Sequence, residues 1–169
     1  VQAFDLPREA ILRMINGRMF DLEEDPPEDR GALTGYASAT SGQLAVLAAH
    51  ICGHTDDTSH IDALGTFWGM SGLLRALSYH AAQRRGYVPG DILRSAVAAM
   101  TGLIEQSRPT EARVPRSLRP AVSYAAVAGT YLRRLERAGY DVYADGLEPS
   151  RFTGQMRIIG SAMTGRISR

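Results

Sequence analysis

Apolar residues recur at three- and four-residue steps through most of the chain, which is the period of a helix that buries one face. The first such run lies at about 6–17, with Pro7 near its start and Gly17 near its end. Its apolar positions are Leu6, Ala10, Ile11, Met14 and Ile15. Because no segment alternates apolar and polar residues in the manner of a strand, the pattern predicts an all-α protein whose helices pack on one another.

Further helices are predicted by the same period. They cover about 30–52, 59–82, 90–106, 117–138 and 151–165. An acidic, proline-broken loop at 21–29, a turn at 85–90, a linker at 109–115 and a loop at 141–150 separate them. Helix 30–52 is rich in Ala, Ser and Gly, which lets a neighbouring helix approach closely. We expect one helical domain over 1–169, and we expect upstream sequence to be missing because Val1 lies at the approach to a helix.

Acidic and basic residues are separated along the chain. The formal net charge is +1, and all 19 basic residues are Arg. Residues 1–62 hold 11 acids and 4 Arg, whereas residues 63–169 hold 7 acids and 15 Arg. The basic second part indicates an anionic partner such as a phosphate, a lipid headgroup or an acidic protein surface.

Composition excludes several classes of protein. Aromatic residues make up 7% of the chain, which argues against a nucleic-acid partner bound by base stacking. No apolar run approaches the about 18 residues of a spanning helix. No helix in the sequence shows the separated basic and apolar faces of a membrane-surface helix. A single Cys excludes a disulfide framework.

One cluster of metal-ligand residue types lies at 50–60. It comprises His50, Cys52, His54, Asp56, Asp57 and His60. The spacing is poor, because His50 and His54 share a face only if the helix continues through Gly53, and Cys52 then points away. We therefore predict no metal here, and a polar loop whose acids cap the next helix. Nucleophile-elbow and phosphate-loop motifs are also absent from the sequence, so no catalytic residue is predicted.

A second cluster lies at the end of the third predicted helix and on the turn after it. Its members are Arg75, Tyr79, His80, Arg84, Arg85 and Tyr87. Arg75 and Tyr79 are four residues apart and share a helix face. Two interpretations stay open. The cluster grips a phosphate or lipid headgroup, or it is a solvated helix end whose cations complement the helix dipole.

The same region resembles the squalene/phytoene synthase family. The similarity lies in the helix segment A-L-G-T-F-W-G-M-S-G-L-L-R at 63–75 and in G-Y-V-P-G-D-I-L at 86–93. Shorter segments at 15–22 and 36–42 agree in order with the family pattern. The family-motif positions are Asp21, Tyr36, Gly42, Gly65, Pro89 and Asp91. The resemblance implies a prenyl-synthase-like helical bundle, of which this chain covers the later part.

The chain departs from the synthases where their chemistry resides. Such enzymes hold Mg²⁺ between two Asp-rich helix motifs, and the metal activates a diphosphate leaving group. The two Asp positions of the later motif are Ala76 and His80 here, and its Glu position is Tyr79. The earlier motif would lie upstream of Val1. The resemblance therefore implies a pseudoenzyme without metal, cofactor or catalytic residues.

The pattern L-R-A-x-x-Y-H at 74–80 and the segment 114–141 resemble the non-synthase branch of that family. This branch includes mitochondrial NADH dehydrogenase (complex I) assembly factor 6 and alphaproteobacterial relatives. It implies an accessory or assembly component of respiratory complex I that binds complex I subunits. The expected location is peripheral, on the cytoplasmic side of the bacterial inner membrane or the matrix side of the mitochondrial one.

Two alternatives to that function stay open. The first is an active prenyltransferase that condenses isoprenoid diphosphates. The second is a lipid carrier without a link to complex I. A former substrate cavity lined by the second and third helices is expected to be able to hold a lipid or an isoprenoid, with Arg75, Arg84 and Arg85 at its polar mouth.

Overall fold

A computed structural model describes residues 4–22, 30–82 and 114–167, with the side chains of 31–76 in the middle range. Every regular element within these ranges is helical, which confirms the all-α prediction. The α-helices are α1 (Arg8–Gly17), α2 (Arg30–Ala37), α3 (Gln43–Ile51), α4 (Ser59–Ala82), α5 (Arg119–Val122), α6 (Ala125–Arg137) and α7 (Arg151–Thr164). Short 3₁₀ turns cover Arg18–Leu22 and Arg116–Leu118, and a π-helical turn covers Ser38–Gly42. The predicted helix at 90–106 lies outside the described residues.

Helix α4 lies at the centre of the packing. One of its sides contacts α2, the π-helical turn and α3, and it also packs against α6. Helix α1 packs outside α3, and α7 packs outside α6. The buried apolar residues of α4 are Ile61, Ala63, Leu64, Phe67, Met70 and Leu74. All of these except Ala63 join buried residues of α5 and α6 in one continuous core, so α4 links the N-terminal and C-terminal helices.

The crossing of α4 with the π-helical turn is unusually close. A Cβ atom added to Gly65 would lie 2.6 Å from the carbonyl oxygen of Ser41 and 2.8 Å from the Cα of Gly42. A Cβ on Gly69 would lie 2.8 Å from the Cβ of Ser41. Only glycine permits backbones to approach this far. The two helices predicted to line a lipid cavity therefore touch directly along this crossing.

The π-helical turn divides the helix that the sequence predicts as continuous over 30–52. Within this turn, the Thr40 hydroxyl donates a hydrogen bond to the carbonyl oxygen of Tyr36 at 2.7 Å. A Cβ on Gly17 of α1 would lie 2.8 Å from the Cβ of Ala39, so α1 also seats on the turn. The extra residue of a π-turn bends a helix locally. Here the bend lies where α1 and α4 both press on the segment.

Helix α7 is held to the rest of the molecule at both ends. The Ser150 hydroxyl accepts the backbone N–H of Thr153 at 3.2 Å, which caps the N-terminus. Gly165 ends the helix in the left-handed region at φ 71°. The Arg119 guanidinium donates to the carbonyl oxygens of Ala162 at 3.0 Å and Met163 at 2.6 Å. In the part of the chain that the structure describes, no helix is long and apolar enough to cross a bilayer.

Candidate functional site

The predicted polar cluster begins at Arg75, which lies in the C-terminal half of α4. Its Nε donates to Glu148 Oε1 at 2.5 Å, and the two residues are 73 positions apart in the chain. Glu148 belongs to the loop between α6 and α7. The guanidinium that the sequence placed at the mouth of a phosphate or lipid site therefore pairs with a carboxylate of the same chain.

The position of Glu148 is set from α6. Arg134 Nη1 donates to the backbone oxygens of Gly146 at 2.9 Å and Glu148 at 2.5 Å. Arginine donors on backbone carbonyls fix a loop more firmly than the pairing of two flexible side chains does. Because Arg75 holds the side chain of Glu148 and Arg134 holds its backbone, α4 and α6 are joined through this loop.

A buried tyrosine lies beneath the pair. Tyr131 of α6 is fully buried, and its hydroxyl has no hydrogen-bond partner among the described protein atoms. Burial raises the pKa of Tyr131 to about 12, an effect that the negative Glu148 increases and the positive Arg75 opposes. The phenol is therefore neutral at physiological pH.

The other predicted site residues fall into three groups. Ala76 is half-buried on α4, directly after Arg75, and its side chain is a methyl group without a metal-ligating atom. Tyr79 and His80 lie on the same helix, and their side chains are outside the described set. Arg84, Arg85, Tyr87, Pro89 and Asp91 lie outside the described residues. The assignment of these positions to a site remains a prediction.

The described part of this region contains the cations of Arg75 and Arg134, the carboxylate of Glu148 and a neutral phenol. Mg²⁺-assisted loss of diphosphate needs several carboxylate oxygens around the metal. Among the described residues, no group of three or more His, Cys, Asp or Glu side chains is placed to hold a metal ion. The arrangement of Arg75 and Glu148 is suited to hold α4 and the loop together, or to present charge to a partner.

Two of the family-motif residues meet near the N-terminus. The Tyr36 hydroxyl donates to Asp21 Oδ1 at 2.7 Å, and Arg18 Nη1 donates to the Tyr36 oxygen at 2.8 Å and to Asp21 Oδ2 at 3.2 Å. Burial and the Asp21 carboxylate raise the pKa of Tyr36, and Arg18 opposes this. The triad ties the 3₁₀ turn after α1 to α2. It explains the spacing of these two positions by local structure.

Another pair of family-motif residues, Gly42 and Gly65, forms the close crossing described above. Next to it lies Asp62, a half-buried acid that sequence reasoning did not single out. Ser38 donates to Asp62 Oδ2 at 3.1 Å, and Gln43 donates to Oδ1 at 3.3 Å. Burial raises the pKa of Asp62, while Ser38, Arg13 and Gln43 lower it. These three residues offset only part of the cost of lost hydration, because the pKa of Asp62 stays raised.

The histidine-rich segment forms a capped loop. Asp57 Oδ1 accepts the backbone N–H of Ser59 at 2.9 Å at the start of α4. His54 and His60 stack edge to face, with ring centroids 5.8 Å apart. Burial, and then the neighbouring His54, lower the pKa of His60. The acid does what the sequence predicted, because it closes the loop before α4 rather than joining a ligand set.

Sequence reasoning missed Glu148, Arg134 and Tyr131. Glu148 is an ordinary loop acid in the sequence, and nothing local marks its partner 73 residues away. Tyr131 lies in an apolar helical stripe and reads as core. Only the packing of α4 against α6 brings these groups to Arg75, so no spacing rule within one element finds them.

Comparison with known proteins places these features in context. The sequence model of squalene/phytoene synthase matches residues 1–108. Complex I assembly factor 6 of Mus musculus is 24% identical over 176 residues, and its Rattus norvegicus counterpart is 25% identical over the same length. Each alignment covers 88% of this chain and 52% of the relative, so the chain spans about half the length of the curated relatives it matches. No solved structure gives a significant match.

Proposed function

This chain belongs to the squalene/phytoene synthase family, and from that premise we propose that it is a non-catalytic accessory or assembly component of respiratory complex I. One observation carries the proposal. Helix α4 has Ala76 and His80 at the two positions where the family resemblance implies the Asp residues of the later metal-binding motif. Helix α4 keeps the glycines that let it pack closely and lacks these metal-binding carboxylates. It therefore retains the fold of the family without the metal-dependent reaction.

The physical argument concerns the metal. Mg²⁺ prefers oxygen ligands in near-octahedral geometry, and a methyl group supplies none. Neutral imidazole is a poor ligand for so hard an ion. Arg75, the residue before Ala76, pairs with Glu148. The carboxylate of Glu148 is therefore already neutralised by a cation. The proposal is therefore that α4 lacks the carboxylate ligands with which a synthase holds the metal for diphosphate ionisation.

The complex I role is supported by the relatives. Two mammalian proteins that cover 88% of this chain are named as assembly factors of that complex. Their alignment extends beyond residues 1–108 into the C-terminal part of the chain, which holds Glu148, the partner of Arg75, and Arg134, which donates to the Glu148 backbone. The complex I subunits are the proposed protein partners. The proposed location is the cytoplasmic face of the bacterial inner membrane or the matrix face of the mitochondrial one, and the partner role needs no metal or cofactor.

A pull-down tests the partner. Full-length tagged protein is purified from gently solubilised native membranes, and co-purifying proteins are identified by mass spectrometry. We expect NADH dehydrogenase subunits, enriched over a tag-only control. If the protein is captured intact and these subunits are absent, the complex I role is wrong and a free-standing lipid carrier becomes the better account.

The alternative of an active prenyltransferase has its own assay. Purified full-length protein receives farnesyl or geranylgeranyl diphosphate with Mg²⁺, and pyrophosphate and hydrocarbon products are measured. We expect no product above the protein-free control. Formation of a C30 or C40 product would overturn the pseudoenzyme assignment. The matched variant restores both acids, Ala76→Asp with His80→Asp.

A further inference from the structure

Helix α7 has its polarity inverted relative to an ordinary surface helix. Its only fully buried residue is Ser161, and the half-buried positions around it are Thr153, Gly154, Arg157 and Ala162. The large apolar side chains lie on the opposite side. A surface helix normally turns its apolar stripe toward the core and its polar residues to water. The sequence of α7 is therefore not explained by packing within the described part of the chain.

The exposed apolar residues form a straight row. Phe152, Met156, Ile159 and Met163 recur at steps of four, three and four, which places them along one face of the helix. We call this row the α7 ridge. Phe152 is 72% exposed and Met163 is 74% exposed. Such a row of large apolar side chains marks an interaction surface rather than scattered surface hydrophobes.

The ridge is exposed although α7 is firmly attached to the rest of the protein. Ser150 caps its first turn, and Arg119 holds the carbonyl oxygens of Ala162 and Met163 at its last. Val114 N–H also donates to the oxygen of Gly165 at 3.2 Å. The inner face is fixed by polar contacts, so the outer face is presented in a defined orientation.

The charge around the ridge selects its partner. Residues 149–169 contain Arg151, Arg157, Arg166 and Arg169 and no acid. Burial, and then the charges of Arg157 and Arg137, lower the pKa of Arg133 on α6, while Glu136 raises it, so the charge of Arg157 acts on α6. A dense positive field beside exposed apolar side chains complements an anionic phospholipid surface.

A second exposed row provides the internal contrast. Leu12, Ile15, Met19 and Leu22 follow α1 and the turn after it, and all four are exposed. Residues 1–29 hold 8 acids and 3 Arg, so this row lies in an acidic segment. An anionic bilayer attracts the C-terminal segment and repels the N-terminal one. Of these two rows, the α7 ridge is the one that combines apolar exposure with the matching charge.

We propose that α7 is a membrane-docking helix that lies on the surface of a bilayer containing anionic phospholipid. The ridge enters the boundary between headgroups and acyl chains, and the flanking arginines contact lipid phosphates. The proposal deepens the proposed function, which it rests on for its setting, by naming the surface that meets the membrane. Peripheral docking of this kind needs one amphipathic helix and no spanning segment.

Vesicle flotation with full-length protein tests the docking without complex I in the sample. The probes are vesicles of phosphatidylcholine alone and of phosphatidylcholine mixed with phosphatidylglycerol. We expect binding to the mixed vesicles that weakens with salt, since surface charge interactions are screened. Absence of binding to the mixed vesicles, or equal binding to both kinds, overturns the proposal.

Matched variants locate the contact. Phe152→Ser with Met163→Ser removes the ends of the ridge and is expected to weaken binding at least about tenfold. Arg151→Gln with Arg166→Gln is expected to weaken it about 30-fold, at about 1 kcal/mol for each cation near the surface. Leu12→Ser with Met19→Ser is the control and is expected to bind as the parent does. Circular dichroism of each variant establishes that it is folded.

The outcomes are separable from those of the complex I test. If the ridge variant floats with the mixed vesicles as the parent does, or if the control loses binding equally, the proposal is wrong. If the ridge variant keeps vesicle binding and loses complex I subunits in the pull-down, the ridge binds protein instead of lipid, which also overturns it. A failed pull-down with normal flotation leaves the docking intact and refutes the proposed function alone.

Discussion

Helices α4 and α7 use their residues in opposite ways. Helix α4 buries large apolar side chains on several sides and places glycine where another backbone crosses it. Helix α7 buries a serine and exposes a phenylalanine, two isoleucines and two methionines. The residues of α4 are explained by neighbours within the described part of the chain, whereas the exposed apolar residues of α7 have no such explanation there. The contrast separates the part of the sequence that maintains the fold from the part available for function.

The largest expected effect compares one phenylalanine from each helix. Phe67 is 1% exposed and lies in the core, so Phe67→Ala should cost about 3–5 kcal/mol of unfolding free energy. Phe152→Ala on the ridge should change it by less than about 0.5 kcal/mol. Urea denaturation of the two variants gives both values. A large loss of unfolding free energy in Phe152→Ala would mean that α7 packs its ridge against the protein. The proposed difference between α4 and α7 would then be wrong.

The next effect probes the close crossing. Gly65→Ala places a Cβ 2.6 Å from a backbone oxygen that cannot move aside, and we expect a loss of about 2 kcal/mol. Gly72→Ala is the control on the same helix, because nothing lies within 4 Å of its added Cβ. There the better helix propensity of alanine should leave stability unchanged or raise it by up to about 1 kcal/mol. Equal effects at both positions would show that the crossing is looser than described.

A smaller effect is expected at the site itself. Arg75 and Glu148 are partly exposed, so their coupling should be at most about 1 kcal/mol despite the 2.5 Å contact. A double-mutant cycle with Arg75→Gln and Glu148→Gln measures it through urea denaturation. The coupling should shrink in high salt. No coupling at low salt would mean that the ion pair does not link α4 to the loop.

The smallest expected effect is a change in how strongly the stability of the protein depends on pH. Burial raises the pKa of Asp62, so the folded protein binds this proton at a higher pH than the unfolded chain does. Asp62 therefore adds stability as pH falls through its folded pKa, and this contribution is lost as pH rises. Asp62→Asn cannot titrate, so its stability relative to the parent should be lower at pH 4 than at pH 7. Denaturation curves at both pH values check this, and a constant difference would contradict it.

The sequence predicted the positions of the helices better than the contacts between them. The helix period located α1, α4 and α7 to within a few residues, because each has a clear apolar pattern and ends at a glycine, a polar cap or a turn. The π-helical turn at Ser38–Gly42 was not predicted. It arises where Gly17 and Gly65 press on the segment from other helices, which no local pattern encodes.

The site shows the same division. Arg75 was identified from its neighbours on the helix, but Glu148 was not, since it is a loop residue brought close by the packing of α4 and α6. Inspection of the sequence also found no helix with separated basic and apolar faces. That reading overlooked α7, because the arrangement of its ridge becomes visible only once Ser161 is known to be the buried side. A helical pattern gives the faces of a helix but not which face turns inward.

The central claim is that this member of a synthase family serves complex I rather than isoprenoid synthesis. The most direct measurement is the amount of assembled NADH:quinone oxidoreductase, by in-gel activity after native electrophoresis, in native cells that lack the gene. We predict a strong loss of assembled complex that the full-length gene restores. A normal amount of active complex in the deleted cells would contradict the account.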